Sequence, residues 1–211
     1  IGRELTAQGA NFFGGVCVNL LRHPAWGRAQ ETYGEDSMLL GEMGAALTES
    51  VGAHAATCVK HFACNSMENS RFRVDVQIAE TDLRDLYLPH FRRCIEAGAD
   101  CVMTAYNKVN GEWCGHHRHL ITEVLRGEWG FDGFVMSDFT FGVRDISAAL
   151  NAGLDLEMPM RWRGLGLRRA VAAGRVTEET VYAAAFRILR TMFHACGRSG
   201  GRQSPKTAVL C

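Results

Sequence analysis

Gly133-Phe134-Val135-Met136-Ser137-Asp138 is an apolar run that ends on a carboxylate. Its apolar residues are continuous and do not alternate with polar ones, which describes a strand covered on both faces, as in a parallel sheet with helices packed against it. The same pattern recurs at Val16–Leu21, Ala56–Phe62, Cys101–Tyr106 and Leu154–Met158. Each run leads into a polar or glycine-containing loop and then into a segment of helical period. Leu39, Met43, Leu47 and Val51 are expected to form the buried face of one helix. Leu83, Leu86, Tyr87 and Phe91 mark a second, which Pro89 kinks or divides. Leu120, Ile121, Val124 and Leu125 mark a third, closing at Gly127 or Gly130. Val143, Ile146, Ala149 and Leu150 mark a fourth, stopped by Gly153 in the left-handed conformation that ends helices. A last helix is predicted over Glu178–Phe193, with Thr177 as its N-cap and Glu178 and Glu179 at the positive end of its dipole.

Repeated strand-then-helix order means either an open doubly wound sheet or a (β/α)8 barrel. A complete barrel takes about 250 residues and eight strands, so five runs in 211 residues predict an incomplete one. The expected fold is α/β, a (β/α)8 TIM-type barrel with about five of its eight units, over residues 1–196. Residues 197–211, rich in Gly, Arg and Ser without periodicity, are expected to be a disordered tail. An unclosed barrel would leave strand edges and apolar helix faces exposed.

Composition narrows the function. Lys+Arg and Asp+Glu balance at 23 each, so no excess positive charge is available for a phosphate backbone or an anionic membrane surface. No apolar stretch approaches the roughly 20 residues that span a bilayer, and no secretory leader is visible in this sequence. The eight cysteines are scattered, without a CxxC pair, which favours a reducing, cytoplasmic setting, although a Cys64–Cys114 bridge stays open. Cys58 and Cys101 read as small buried hydrophobes. His116, His117 and His119 lie close together but lack the spacing of a metal site, and a solvated loop is the expected setting. Neither a metal nor a cofactor is called for.

In a barrel the chemistry sits at the carboxyl ends of the strands. Those ends carry Arg28 and Glu31, Lys60 and His61, Met103 and Tyr106, Asp138, and Glu157. Acidic, basic, aromatic and donor groups on one rim suit a ligand with many hydroxyls. Position alone leaves Asp138 open between a cleft carboxylate and a residue that caps the next helix or pairs with Arg144. Lys60-His61 alone fits an ordinary ion-pair partner as well as a hydroxyl-binding pair. Phe139 is either a platform for a sugar ring or part of the core.

The chain also carries Leu21-Arg22-His23-Pro24-Ala25-Trp26-Gly27-Arg28 with Glu31, Tyr33-Gly34-Glu35-Asp36, and Val59-Lys60-His61-Phe62-Ala63 with Asn65, Glu68 and Arg71. Met103-Thr104-Ala105-Tyr106-Asn107 with Asn110-Gly111 follows, and then the run Glu128 to Asp138. In this order the segments resemble the family 3 glycoside hydrolases, the β-glucosidase and exo-glycosidase group, from about Asn19 to about Met192. The resemblance implies retaining, exo-acting hydrolysis of a β-linked glucoside or oligosaccharide. It makes Asp138 the nucleophile and places Arg28, Lys60, His61, Arg71, Met103, Tyr106 and Phe139 around the sugar.

Three departures go with it. Phe139 stands where most members have Trp; the barrel segment whose Asp binds two sugar hydroxyls is not present; and the acid/base Glu is expected from a second, C-terminal α/β domain. Glu128 and Glu157 are therefore not assigned that role. The β-N-acetylglucosaminidase branch is disfavoured, because no Gly-rich loop with Asp-Ser-His follows Lys60-His61. Two further alternatives are a truncated chain without activity and a Schiff-base aldolase on Lys60, which needs that lysine neutral.

Overall fold

The computed structural model describes residues 1–198. Its central sheet is four-stranded and all parallel, in the order β1 (Phe12–Cys17), β2 (Ala56–Phe62), β4 (Cys101–Thr104), β7 (Phe134–Met136). A small second sheet, β3 (Asp75–Val76), β5 (Lys108–Val109) and β6 (Glu112–Trp113), lies in the loops that follow β2 and β4. After the short α1 (Gly2–Ala7), the crossovers are helical. They are α2 (Ser37–Gly52), then α3 (Glu80–Asp82), a π-helical turn at Leu83–Tyr87 and α4 (Pro89–Glu96), and then a π-helical segment, His119–Glu128. The helices α5 (Ile146–Asn151), α6 (Leu167–Ala172) and α7 (Glu178–Arg198) follow β7.

The parallel βα architecture is that of an incomplete (β/α)8 barrel, and the sheet does not close among the described residues. The fifth run is less regular than its apolar pattern suggests. Leu156 makes a single parallel bridge to Met136, although Ser137 N–H donates to Leu156 O and Asp155 and Leu156 both donate to Val135 O. The first strand begins at Phe12 rather than Val16. Its register shifts between Phe13 and Val16, where a Cβ on Gly15 would overlap the Phe13 ring. Two glycines at a bulge conceal a strand from any reading based on β-propensity.

The faces of the sheet divide as the two-residue strand period requires. Val59, Val102 and Val135 join Phe62, Phe91, Leu120, Ile121, Val124 and Leu125 in the core under the helices. Cys58, Cys101, Met103, Phe134 and Met136 point to the opposite, concave side. The expected buried set on the third helix is fully buried, and Pro89 opens α4 directly after the π-helical turn. Gly153 has φ +99° just past α5, as a helix-ending glycine should.

The expectation for α2 is corrected. Leu39 and Met43 are about half exposed, and the buried face is Leu40, Gly41, Gly44, Ala45, Thr48 and Val51. A Cβ on Gly44 would stand 2.6 Å from both Cys94 Sγ and Val18 Cγ1, so small residues let α2 sit close against α4 and β1. At such a seam, close approach outweighs the size of the apolar side chain.

Thr177 Oγ1 accepts from Thr180 N–H at the start of α7, as an N-cap does. That helix runs on through Gly197 to Arg198, so two residues assigned to the tail are helical, and 199–211 lie outside the described residues. Tyr182, Phe186, Leu189 and Phe193 form an exposed apolar stripe along it. No described helix is long and apolar enough to cross a membrane. Cys58, Cys64, Cys101 and Cys114 are all buried free thiols, so the Cys64–Cys114 bridge is not formed.

Candidate active site

At the carboxyl ends of the strands lies a cleft of about 420 Å³ lined by Arg28, Lys60, His61, Met103, Met136, Asp138, Phe139 and the Phe12–Gly15 segment of β1. Five of the seven residues expected around a sugar therefore share one wall with Asp138. Arg71 and Tyr106 stand behind it. The Arg71 guanidinium lies over the Tyr106 and Phe72 rings, 4.7 and 4.8 Å from their centroids, and pairs with Glu68 at 2.6 Å. Tyr106 donates its hydroxyl proton to Phe139 O at 2.8 Å, which gives the buried phenol its partner and ties down the residue beside Asp138.

Asp138 emerges from β7 through buried Ser137 and is itself 7 % exposed. Oδ1 accepts from the Phe139 N–H at 2.7 Å. Oδ2 has no hydrogen-bond partner and lies 3.6 Å from His61 Nε2. Both structural alternatives for this aspartate are occupied elsewhere. The N-cap of α5 is Asp145, which accepts from Ala148 N–H at 2.8 Å. Arg144 stacks on Trp113 and donates to Phe72 O.

Lys60 and His61 are neighbours, and a regular strand would aim them at opposite faces. The register of β2 against β4 shifts between Lys60 and Phe62, and both side chains reach the cleft. Lys60 Nζ is 3.8 Å from Glu31, whose carboxylate is held by Arg28 through bonds of 2.9 and 2.8 Å. Glu31 is pulled below the usual carboxylate range, chiefly by Arg28.

Positive charge from Arg28 and Arg71 favours an ionised Asp138. Burial is the larger effect. It raises the Asp138 carboxyl, against the opposing pull of the Phe139 N–H, Arg28 and Arg71. His61 supplies no charge, because burial, aided by the neighbouring cations, drives its pKa well below the ordinary histidine value.

Glu157 accepts from the backbone N–H groups of Arg163 and Gly164, and Glu128 holds Arg84, so neither joins the cleft. The three clustered histidines are separately engaged. His116 accepts from Arg144 N–H, buried His117 meets Val109 O, and His119 sits between Glu80 and Glu123. The solvated-loop expectation fails for His117, which is drawn under its loop by that carbonyl.

Two contributors went unread in the sequence. Phe12–Gly15 lines the cleft because β1 starts early. Gly142 packs so tightly that a Cβ there would overlap Asp138 O and stand 2.8 Å from Asp138 N, while a Cβ on Gly115 would overlap Gly142 O. Asn19, buried just beyond β1, also went unread, although a lone Asn inside the apolar run Val16–Leu21 is a signal, because a buried amide needs partners.

The sequence matches the family described as Glycosyl hydrolase family 3 N terminal domain over residues 1–191. It is similar to a probable beta-glucosidase I of Aspergillus flavus, 42% identical over 182 residues, covering 84% of this chain and 22% of that protein. It is also similar to thermostable beta-glucosidase B of Acetivibrio thermocellus, 38% identical over 200 residues, covering 92% of this chain and 26% of that one. Among solved structures, beta-glucosidase 3B from Thermotoga neapolitana in complex with α-D-glucose superposes with a TM-score of 0.90 at 33% identity, covering 96% of this chain and 30% of that one. The chain thus spans about a quarter of the length of the curated relatives it matches. A match over nearly its whole length, and a fold shared with these enzymes, establish that the chain belongs to glycosyl hydrolase family 3, in the N-terminal domain of that family.

Proposed function

We propose that this chain carries the nucleophile and the sugar-binding wall of a retaining, exo-acting β-glucosidase whose substrate is a β-linked glucoside or oligosaccharide. The observation that carries the reading is the unpartnered Asp138 Oδ2, buried and facing a cleft lined by Arg28, Lys60 and His61. A buried carboxylate oxygen without a donor is costly to keep, and a reacting carbon is a physical reason to keep it.

In the reaction, Oδ2 attacks the anomeric carbon as the glycosidic C–O bond breaks, and a second carboxyl group gives its proton to the leaving oxygen. Water, deprotonated by the same group, then cleaves the glycosyl ester and restores Asp138. Retaining geometry puts that second carboxyl about 5–5.5 Å from the first. Asp138 is the one carboxylate on the cleft wall among the described residues, and Glu31 just behind it is bound by Arg28 and Lys60. The family resemblance places the acid/base group in the C-terminal α/β domain expected of a longer protein. Residues 1–211 alone are accordingly expected to give no turnover of an unactivated disaccharide.

The test is a 2-deoxy-2-fluoro glucoside with a good leaving group, applied to the full-length protein. Peptide mapping is expected to find the sugar on Asp138, and a label on any other residue would remove this assignment. Gly142→Ala probes the same site from behind. Its methyl group would displace the Asp138 backbone, and kcat/KM is expected to fall by about a hundredfold, because small misplacements of a reacting group are that costly. Activity within twofold of the parent would mean that the loop absorbs the methyl elsewhere.

A further inference from the structure

Asn19 lies two residues past the end of β1, is 1 % exposed, and is bonded to a single residue of β2 through both ends of its amide. Its Nδ2 donates to His61 O at 2.8 Å, and its Oδ1 accepts from the His61 backbone N–H at 2.8 Å. A carbonyl only accepts and a backbone N–H only donates, so these two bonds fix which end of the amide is oxygen. The same Oδ1 lies 3.0 Å from His61 Nδ1. An amide oxygen can only accept, so Nδ1 must carry a proton. Thr32 Oγ1 donates to Asn19 O at 2.6 Å and holds the asparagine backbone in turn.

We infer that Asn19 is a positioning residue that locks His61 in the Nδ1–H tautomer, so that Nε2 faces the cleft as a hydrogen-bond acceptor for a donating hydroxyl of the substrate. Nε2 and Asp138 Oδ2 then face one another 3.6 Å apart as two acceptors with no proton between them. A ligand hydroxyl that donates there relieves both, while Lys60 on the same wall has only protons to give. Binding at this point of the cleft therefore selects a hydroxyl by its donor ability. The burial that keeps the ring uncharged preserves the distinction, since an imidazolium would donate from both nitrogens.

The inference rests on the sugar-binding reading of the cleft, and its test separates the two. Ring-nitrogen NMR of the full-length protein labelled at histidine, with His61→Gln identifying the resonance, is expected to place the His61 proton on Nδ1. Asn19→Ala is expected to move the proton toward Nε2, the form that free histidine side chains favour. It is also expected to lower kcat/KM for a glucoside by about tenfold, mostly through KM, the size of one lost hydrogen bond. A proton on Nε2 in the parent protein overturns the inference whether or not the alanine variant folds. So does an Nδ1–H tautomer that survives Asn19→Ala. A fluoroglucoside label on a residue other than Asp138 counts against the glucosidase reading and leaves the ring-nitrogen result unchanged.

Discussion

Asp138→Asn in the full-length protein is expected to lower kcat for a β-glucoside by roughly four orders of magnitude or more, while raising thermal stability at neutral pH. The first half follows from the chemistry, since an amide oxygen does not form the glycosyl ester. Asp138→Gly with added azide is expected to recover turnover and to release the α-glycosyl azide, because the small anion enters from the face the carboxylate occupied. The second half follows from burial. With the carboxyl raised in the folded state, folded protein holds that proton more tightly than unfolded chain. Stability contributed by this group therefore falls as pH rises from the unfolded value, about 3.9, through the higher folded one. Asparagine escapes that loss and still accepts the Phe139 N–H. The gain should accordingly be present at pH 7 and vanish in acid, and a melting comparison at the two pH values measures it. Equal midpoints at pH 7 would mean that the ionised carboxylate is already compensated.

Asp155→Ala is expected to be the most destabilising single change in this part of the molecule, at about 3–5 kcal/mol. Asp155 is a fully buried side chain that holds Arg126 at 2.6 Å, Arg187 at 2.8 Å and the Val135 backbone N–H at 2.7 Å. It thus joins the π-helical segment before β7, the strand itself, and α7. Alanine would strand two partly buried guanidinium groups and one strand N–H at once. The thermal midpoint is expected to drop by roughly 10 °C, with Asp155→Asn in between because it keeps one acceptor. A drop under about 2 °C would show that the arginines find other partners, such as the Gly133 and Gly153 carbonyls that Arg126 already touches.

How much of this was legible in the sequence follows from which forces act locally. β2 runs over Ala56–Phe62 as read, and β4 and β7 lie inside the runs marked for them, because residues buried on both faces are apolar without interruption. Asp138, Lys60, His61, Met103 and Arg28 were found together because a parallel sheet puts every strand end on the same rim. The glycine-broken start of β1 was not legible, and neither was the inward face of α2, where Gly41 and Gly44 outrank Leu39 and Met43. Both are set by how closely another element approaches, which no local pattern records. The neutrality of His61 was also missed: the residue type suggests charge, and only the depth of burial removes it.

The backbone stack of Gly115 on Gly142 and of Gly142 on Asp138 has a bearing on engineering this cleft. Random mutagenesis will find these two glycines intolerant although neither lines the cleft, and a screen for altered sugar preference will be blind there. Variation belongs on the other flank, at Phe12 and Phe13, where side chains border open space and the aspartate's main chain is left alone.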